Sequence, residues 1–258
     1  MTGHTKKSLG QHWLNDRHIL STICDIAQVE SGDDVLEIGP GPGSLTKVLL
    51  ERGAKVTAVE LDNELALALK KLPAENLTII NQDILKFDLS SLPRGYKVVA
   101  NIPYYLTSNL IRNLSESINP PRSITLLVQK EVAERICAEP GSMSVLSVSA
   151  QVYYDCSLGP VVGASKFTPP PKVDSQIVNM LIKSYSLVTT ENKKNFFRIV
   201  KAGFSNRRKT LENSLAGGLQ ISKQEASRSL KASGIDTKAR AQELTLEKWL
   251  ILRENLTS

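Results

Sequence analysis

The chain has 258 residues, of which 41% are hydrophobic and 22% are charged, and its 32 lysines and arginines outnumber its 26 acidic residues by six. This composition indicates a globular protein of one or two domains and argues against a disordered, collagen-like or coiled-coil chain. The longest stretch without a charge, residues 140–154, is too short and too polar to span a membrane, and the basic start has no apolar signal-peptide core, so we expect a cytosolic protein.

The first half of the chain alternates between strand and helix patterns. A helix is predicted to begin at Asn15–Asp16, where a capping residue precedes isoleucines and a leucine at helical spacing. Predicted strands then alternate with predicted helices: strands at residues 34–38, 55–60, 77–80, 97–100 and 123–128, and helices at residues 44–52, 63–71, after residue 107 and at 130–137. This βαβ series predicts an α/β fold with a largely parallel, doubly wound sheet, whose ligand lies beyond the carboxyl ends of the strands.

The pattern changes near Tyr185. Residues 146–154 and 176–182 predict further strands at the sheet edge, but no strand pattern follows Tyr185, and helices are predicted near residues 191–204, 209–215, 223–232 and 246–254. We therefore predict two domains, residues 1–185 and residues 186–258, the second of them small and all-helical.

The positive charge lies in the second predicted domain. Residues 1–185 hold 18 basic and 19 acidic residues, whereas residues 186–258 hold 14 basic and 7 acidic ones. A solvated helical face would also be basic, but the clustering of Arg207, Arg208 and Lys209 favours contacts with phosphates. Nucleic acid is the expected partner.

The cysteines and histidines do not predict a metal site. Cys24, Cys137 and Cys156 lie too far apart for paired metal ligands, and their odd number argues against a disulfide framework. We expect reduced, mostly buried thiols.

A glycine-rich loop, Gly39-Pro-Gly-Pro-Gly43, follows the first strand of the series and precedes a helix. This is the position of a nucleotide-binding turn, and a dinucleotide site is the first alternative. However, Ser44 stands at the third glycine position of the dinucleotide motif, and two prolines remove backbone donors that a pyrophosphate would need. A cofactor without phosphates fits the loop better.

Two acidic residues follow the next two strands. Glu60, 21 residues past Gly39, is placed to accept hydrogen bonds from two ribose hydroxyls, and Asp83 suits an adenine amine. Either acid alone could lie in a surface turn. Together with the loop they predict one cofactor site, although sugar-nucleotide enzymes and flavoproteins remain alternatives at this point.

The motif Asn101-Ile-Pro-Tyr104 follows the fourth strand and favours chemistry on an aromatic amine. The side-chain oxygen of Asn101 and the carbonyl of Ile102 can accept both N–H groups of an adenine amine, which favours the pyramidal nitrogen that attack requires, and Tyr104 offers a ring for stacking. S-adenosylmethionine suits such a reaction because its sulfonium is a good leaving group. The plain alternative is an ordinary strand-to-helix turn.

With these motifs in order, the chain resembles the ribosomal RNA adenine N(6),N(6)-dimethyltransferases, and among them those acting on the small ribosomal subunit. The resemblance spans nearly the whole chain and also rests on residues 7–14, 129–133, 167–175 and 204–211. It implies a Rossmann-like class I S-adenosylmethionine-dependent methyltransferase domain with a small helical domain. It also implies dimethylation of two adjacent adenosines in a hairpin loop near the 3′ end of small-subunit (16S) rRNA during subunit assembly.

The resemblance also implies roles for individual residues. It places S-adenosylmethionine against His12, Leu14, Gly39, Gly41, Glu60, Asp83 and Asn101. It implies that Phe167 covers the face of the target base opposite Tyr104, although a core aromatic residue would fit that position equally well. The chain has His12 where the family usually has asparagine, and Trp13 where it usually has phenylalanine, which leaves the side-chain role of position 12 open.

Two other functions share many of these features. The related methyltransferase that modifies large-subunit rRNA would use the same cofactor and base chemistry, but Leu9-Gly10-Gln11 and residues 207–211 favour the small-subunit enzyme. A nucleic-acid-binding factor could retain the fold without catalysis, and the intact Asn101 and Tyr104 argue against it. We expect a monomer that acts on the immature small subunit.

Overall fold

The structure is a computed structural model that describes residues 12–102, 106–185 and 187–256. The chain divides into two compact units. The first contains the described residues up to Glu134 together with Asp155–Ile182, and the second contains Arg135–Tyr154 together with the described residues from Lys183 onwards.

Strands and helices alternate through the first part of the chain. In chain order the elements are β1 (Trp13–Leu14), α1 (Arg17–Ile26), β2 (Asp34–Ile38), α2 (Ser44–Glu51), β3 (Lys55–Glu60), α3 (Asn63–Leu69), β4 (Leu77–Asn81), β5 (Lys97–Asn101), α4 (Thr107–Glu116), β6 (Ser123–Gln129), α5 (Lys130–Ile136), α6 (Val145–Gln151), β7 (Tyr154–Val162), β8 (Phe167–Thr168) and β9 (Ser175–Ile182). The predicted strands from residue 34 to residue 128 are confirmed to within a residue or two.

A seven-stranded sheet organises the first unit, with the strand order β4-β3-β2-β5-β6-β9-β7. The strands from β4 to β6 in this order pair in parallel, and β9 pairs antiparallel with β6. Because β2, β5 and β6 lie inside the sheet, they are buried along most of their length, which explains their runs of valine, leucine and isoleucine. The predicted doubly wound, mostly parallel architecture is confirmed.

Local sequence sets the start of the first helix. The side chain of Asp16 caps α1 by accepting the backbone N–H groups of His18 and Ile19. Leu20 and Ile23 then bury one face of α1 in a core shared with β2, β3 and α2. The Asp16 cap therefore sets where α1 begins, and burial of one helix face holds α1 against the sheet.

One predicted strand is wrong. Residues 146–154 alternate apolar and polar positions, as a strand would, yet Val145–Gln151 form the helix α6, and β7 begins only at Tyr154. Ser144 starts this helix because its hydroxyl accepts the N–H of Ser147, while the hydroxyl of Ser147 accepts the N–H of Ser144. A capping signal and burial within the second unit prevail over the alternation.

The second unit is helical. It contains α6 and four further helices, α7 (Thr190–Gly203), α8 (Leu211–Leu219), α9 (Lys223–Ala232) and α10 (Leu246–Asn255), around a core with Phe196, Leu215, Leu230 and Trp249. The four predicted helices are all present. The division differs from the predicted 1–185 and 186–258 because Met143, Val148 and Val152 pack into this core.

Two further expectations concern single features. None of the three cysteines forms a disulfide, and Cys24 is buried whereas Cys137 and Cys156 are half-buried. Among the described residues, the structure contains no helix with the length and apolarity needed to cross a membrane.

Candidate functional site

The sheet brings the predicted cofactor residues to one edge. Because β2, β3, β4 and β5 run in parallel, the segments that follow them all emerge at their carboxyl ends. There they surround a cavity of about 230 Å³. Its lining includes the predicted residues His12, Leu14, Gly39, Gly41, Glu60, Asp83, Asn101, Ile102 and Phe167.

The backbone N–H groups of the glycine loop all donate hydrogen bonds to other atoms of the protein. The N–H of Gly39 donates to the carbonyl of Val59 (2.9 Å), and the N–H of Gly43 donates to the carbonyl of Pro40 (3.0 Å). The N–H of Gly41 donates to Oε2 of Glu60 (3.0 Å). Since the two prolines carry no N–H, every amide of residues 39–43 is accounted for, and none is left for a pyrophosphate.

Glycine is needed in this loop for conformational reasons. Gly39, Gly41 and Gly43 all have positive φ, at 62°, 58° and 82°. A Cβ on Gly43 would also lie 2.7 Å from a methyl group of Leu69. The loop therefore turns tightly from β2 into α2 only with glycine at these positions.

Glu60 is held by two backbone donors at the end of β3. Its Oε2 accepts the N–H of Gly41, and its Oε1 accepts the N–H of Asp62 at 2.9 Å. Burial raises the pKa of this carboxyl group, and the two backbone donors oppose that rise. Each oxygen can accept a further hydrogen bond, so a fixed carboxyl group remains able to take two ligand hydroxyls.

Asp83 and Asn101 both line the cavity, and they follow β4 and belong to β5 respectively. Asp83 caps the turn at Ile84–Lys86 by accepting the N–H of Leu85 at 3.0 Å. Asn101 is the last residue of β5 and is half-buried, and Ile102 directly after it is buried. Tyr104 lies outside the described residues.

A two-stranded ribbon closes one side of the cavity. In this ribbon Trp13 and Leu14 of β1 pair with Thr168 and Phe167 of β8, and Phe167 is buried. A Cβ on Gly41 would lie 3.6 Å from Nε1 of Trp13, so the indole ring lies against the glycine loop.

Three side-chain contacts fasten this ribbon. Nδ1 of His12 lies 2.7 Å from the carbonyl oxygen of Pro169, which places the proton on Nδ1 because a carbonyl only accepts. Lys166 forms an ion pair with Asp16 at 2.8 Å, and the Ser44 hydroxyl donates to Asn15 at 2.7 Å. The histidine at position 12 therefore serves as a donor to the segment that carries Phe167.

Asp174 connects the segment around Phe167 to the sheet. Its Oδ1 accepts the N–H of Ala164 at 2.9 Å, and its backbone carbonyl accepts the N–H of Lys130 at 3.0 Å. The motifs at residues 129–133 and 167–175, which the sequence analysis matched only as patterns, thus meet at the end of β6.

Glu37 is a cavity residue that the sequence analysis did not assign to the site. It lies on β2, is 1% exposed, and lines the cavity with Glu60. Its Oε2 has no hydrogen-bond partner among the described residues, and burial raises its pKa to about 8. The signal that could have revealed it is an acid placed between the apolar residues Leu36 and Ile38 of β2.

The charge of the lining indicates which cofactor fits. Three carboxyl side chains, those of Glu37, Glu60 and Asp83, line the cavity, and no lysine or arginine among the described residues lines it. A nucleotide phosphate would find neither a cationic side chain nor a free loop amide at this cavity. A ligand with a cationic sulfonium, an amino group, a ribose and an adenine would instead find the carboxyl oxygens of the lining as hydrogen-bond acceptors. Two buried polar atoms, Oε2 of Glu37 and Nε1 of Trp13, have no hydrogen-bond partner in the described part of the chain and are further points for such a ligand. The residues present fit S-adenosylmethionine.

The remaining predicted site residues belong to the second unit. Arg207, Arg208 and Lys209 are exposed in the turn between α7 and α8. Among the residues that the structure describes, no cluster of histidine, cysteine and acidic side chains could hold a metal ion.

Comparisons with known proteins identify the family of the chain. Residues 3–258 match the family model of ribosomal RNA adenine dimethylases. The chain is 42% identical over 257 residues to a ribosomal RNA small subunit methyltransferase A from Dehalococcoides mccartyi, covering 96% of this chain and 88% of the relative. It is 38% identical to one from Streptococcus pneumoniae, covering 97% and 91%.

Solved structures show the same fold over both units. A dimethyladenosine transferase from Plasmodium falciparum matches with a TM-score of 0.80 and 29% identity, covering 93% of this chain and 96% of that one. The 23S rRNA methyltransferase ErmE matches with a TM-score of 0.75 and 27% identity, covering 95% and 100%. The fold is that of the class I methyltransferases, as predicted.

Proposed function

The chain belongs to the ribosomal RNA adenine dimethylase family, and we propose that it transfers methyl groups to two adjacent adenosines in the 3′-terminal hairpin loop of small-subunit (16S) rRNA, forming N(6),N(6)-dimethyladenosine. The methyl donor is S-adenosylmethionine, which supplies an electrophilic methyl group on a sulfonium. The observation that carries the proposal is the cavity that Asn101 lines together with three carboxyl groups and a glycine loop whose N–H groups all donate within the protein.

Cofactor binding is assigned to the residues around the cavity. We assign the ribose hydroxyls to Glu60, because its two oxygens are held in place by Gly41 and Asp62. The adenine amine is assigned to Asp83. Leu14, Gly39 and Gly41 supply the close apolar and backbone walls, and His12 acts by holding the ribbon that bears Phe167.

The target amine is assigned to Asn101 and Ile102. The adenine N6 lone pair is delocalised into the ring, and nucleophilic attack requires it to localise on nitrogen. The Asn101 side-chain oxygen and the Ile102 carbonyl accept the two N–H groups and so stabilise the pyramidal nitrogen. The nitrogen forms its new bond to the methyl carbon as the bond from that carbon to sulfur breaks, and the amine proton leaves afterwards to solvent.

Two aromatic side chains are assigned to the faces of the target base. Phe167 is buried where the ribbon meets the cavity, and it lines the cavity together with Asn101. Tyr104 follows Asn101 by three residues in the sequence. A base inserted between two rings would be held with its amine next to Asn101, which is the usual arrangement for a base taken out of its stack.

The small subunit is favoured over the large one as the source of the substrate. The curated relatives at 38 to 42% identity are named for small-subunit methylation, whereas the structure named for 23S rRNA is 27% identical. Of residues 207–211, which favour the small-subunit enzyme in the sequence, Arg207, Arg208 and Lys209 are exposed in the turn before α8, and Leu211 is buried as the first residue of that helix.

The second unit is assigned to RNA binding. Its turn at Arg207, Arg208 and Lys209 exposes three basic side chains in a row, which suits contacts with phosphates. We further propose that the protein acts as a monomer, in the cytosol, on an immature small subunit in which the target loop is still accessible.

Mapping of modified adenines tests the proposal. Both rRNAs of a strain lacking the gene would be analysed beside those of its parent. We expect two adjacent dimethyladenosines to disappear from the small-subunit rRNA and the large-subunit rRNA to be unchanged. Loss of modification from the large subunit alone would overturn the proposal.

A further inference from the structure

One face of α7 carries three exposed basic side chains. Lys194, Arg198 and Lys201 follow one another at intervals of four and three residues, and all three are exposed. This spacing places them on one side of the helix, over a length of about 10 Å. Phe196 and Val200, on the other side of α7, are buried in the core of the second unit.

The positive charge of the helical part of the chain is concentrated here. Residues 190–210, which comprise α7 and the turn after it, contain seven basic residues and one acidic residue, Glu191. Residues 211–258 contain seven basic and six acidic residues and are therefore almost neutral. The basic character of the second unit belongs to one helix and one turn rather than to its whole surface.

Three basic residues elsewhere in this unit are held by contacts within it. Lys223 pairs with Glu212 at 3.3 Å, and Arg253 pairs with Glu254 at 2.9 Å. Lys248 donates to the backbone carbonyls of Ser233 and Gly234. Lys194, Arg198 and Lys201, by contrast, form no ion pair within 4.0 Å with any residue that the structure describes, so their charge is available to a ligand.

The aromatic residues of this segment face inwards. Phe196 is buried, Phe197 packs near Tyr153 with ring centroids 6.4 Å apart, and Phe204 stacks on Trp249 at 5.5 Å. Single-stranded RNA is usually held by bases stacked on exposed rings, whereas double-helical RNA is recognised through phosphates and shape. A basic face without exposed rings suits the second kind of ligand.

We propose that Lys194, Arg198 and Lys201, together with the turn at Arg207–Lys209, form one track for the phosphates of a double-helical segment of RNA. This proposal rests on the proposed function in that the RNA is the substrate rRNA. It adds the residues of α7 and the kind of RNA that they contact. The duplex is held through its backbone, which leaves sequence selection to the cavity of the first unit.

Salt-dependent binding of a short RNA duplex tests the track. The triple variant K194Q/R198Q/K201Q would be compared with the unaltered chain. The control is K223Q/R228Q/K231Q, which neutralises three exposed basic residues of α9 and so changes the net charge by the same amount. The α7 variant should reduce the slope of log affinity against log salt by roughly two to three, because each lost phosphate contact accounts for about one unit. The α9 variant should change the slope much less.

Further arms separate the possible outcomes. The charge-conserving variant K194R/R198K/K201R should bind as the original chain does, and all variants should keep their affinity for S-adenosylmethionine. Equal losses in the α7 and α9 variants would overturn the proposal, since net charge alone would then explain binding. The same experiment is done with one strand of the duplex alone, and an equal loss of affinity of the α7 variant for that single strand would also overturn the proposal. So would a wild-type chain that does not bind the duplex but binds vesicles of anionic lipid through α7.

Methylation of small-subunit rRNA by the same wild-type preparation keeps the two proposals distinguishable. If methylation is absent while duplex binding depends on α7, the proposed function fails and the track stands. If methylation proceeds and all three variants bind the duplex alike, the track alone fails.

Discussion

The backbone N–H of Gly41 donates to Oε2 of Glu60 across 3.0 Å and so joins the loop after β2 to the end of β3. The other carboxyl oxygen accepts the N–H of Asp62, which begins the turn into α3. Glu60 therefore shapes the glycine loop and lines the cavity at the same time. The contact also removes a loop amide that a phosphate-bearing cofactor would need.

The first prediction concerns Glu60. Replacement by glutamine removes the charged acceptor, and because a hydrogen bond to a charged group is worth about 1.5 to 3 kcal/mol, the Kd for S-adenosylmethionine should rise about ten- to hundredfold. Titration calorimetry on the free protein measures this change. Glu75→Gln, at an exposed position between α3 and β4, serves as the control and should leave the Kd unchanged. Equal affinities for all three proteins would remove Glu60 from the site.

The second prediction concerns Asn101. Asn101→Ala deletes one of the two acceptors assigned to the target amine, so the rate of methyl transfer should fall by about a hundredfold or more. The Kd for S-adenosylmethionine should change much less, because Glu60 and Asp83 remain. Single-turnover rates on undermethylated small subunits, measured beside cofactor titrations, separate the two effects.

Asn109→Ala is the matched control for this experiment, since Asn109 is exposed on α4. Its rate should equal that of the unaltered chain. A rate for Asn101→Ala within a few-fold of the control would contradict the assigned role.

The third prediction concerns the pH dependence of stability. Burial raises the pKa of Glu37 from its ordinary value of 4.5 to about 8 in the folded chain. Between these values the folded state keeps a proton that the unfolded state has released, so the free energy of unfolding should fall as the pH rises from about 5 to 8. For a single group the slope is at most about 1.4 kcal/mol per pH unit. Glu60, whose pKa burial also raises, contributes in the same direction.

Glu37→Gln should remove this contribution and flatten the dependence. Urea denaturation of the cofactor-free protein at several pH values between 5 and 8 measures the difference, with Glu75→Gln as the exposed control. Parallel curves for the original chain and Glu37→Gln would show that Glu37 does not hold a proton in the folded state.

The fourth prediction concerns His12. His12→Ala removes the donor to the Pro169 carbonyl, and a neutral hydrogen bond is worth about 0.5 to 1.5 kcal/mol, so the Kd for S-adenosylmethionine should rise up to about tenfold. His12→Asn keeps an N–H donor and should retain most of the affinity. His18→Ala, on the exposed side of α1, provides the control. The idea fails if asparagine and alanine at position 12 behave alike.

The sequence predicted the parts of the molecule that depend on local patterns. Runs of apolar residues predicted the strand series. Because parallel strands place their carboxyl ends together, the sequence also predicted that the glycine loop, Glu60 and Asp83 meet, and in the structure all three line one cavity. α6 was mistaken for a strand because Leu146, Val148 and Ala150 alternate with small polar residues. What decided its conformation was a serine cap and burial on several sides, and the second of these depends on the tertiary structure.

Contacts between distant segments could not be predicted from patterns. His12 lies 157 residues from Pro169, and no periodicity relates them, so the donor role of the histidine emerges only from the pairing of β1 with β8. The same holds for Asp174, which connects the segment before Phe167 to the end of β6. An acid between apolar residues of a strand marks Glu37 as unusual, but the sequence alone does not show that a cavity lies beside it.

The most direct test of the central claim uses purified protein, labelled S-adenosylmethionine and undermethylated small ribosomal subunits, followed by nucleoside analysis of the extracted rRNA. The proposed function predicts label in N(6),N(6)-dimethyladenosine at two adjacent adenosines of the 3′-terminal hairpin loop, with Asn101→Ala giving almost none. Absence of label from N(6),N(6)-dimethyladenosine, or transfer to large-subunit rRNA in place of the small subunit, would contradict it.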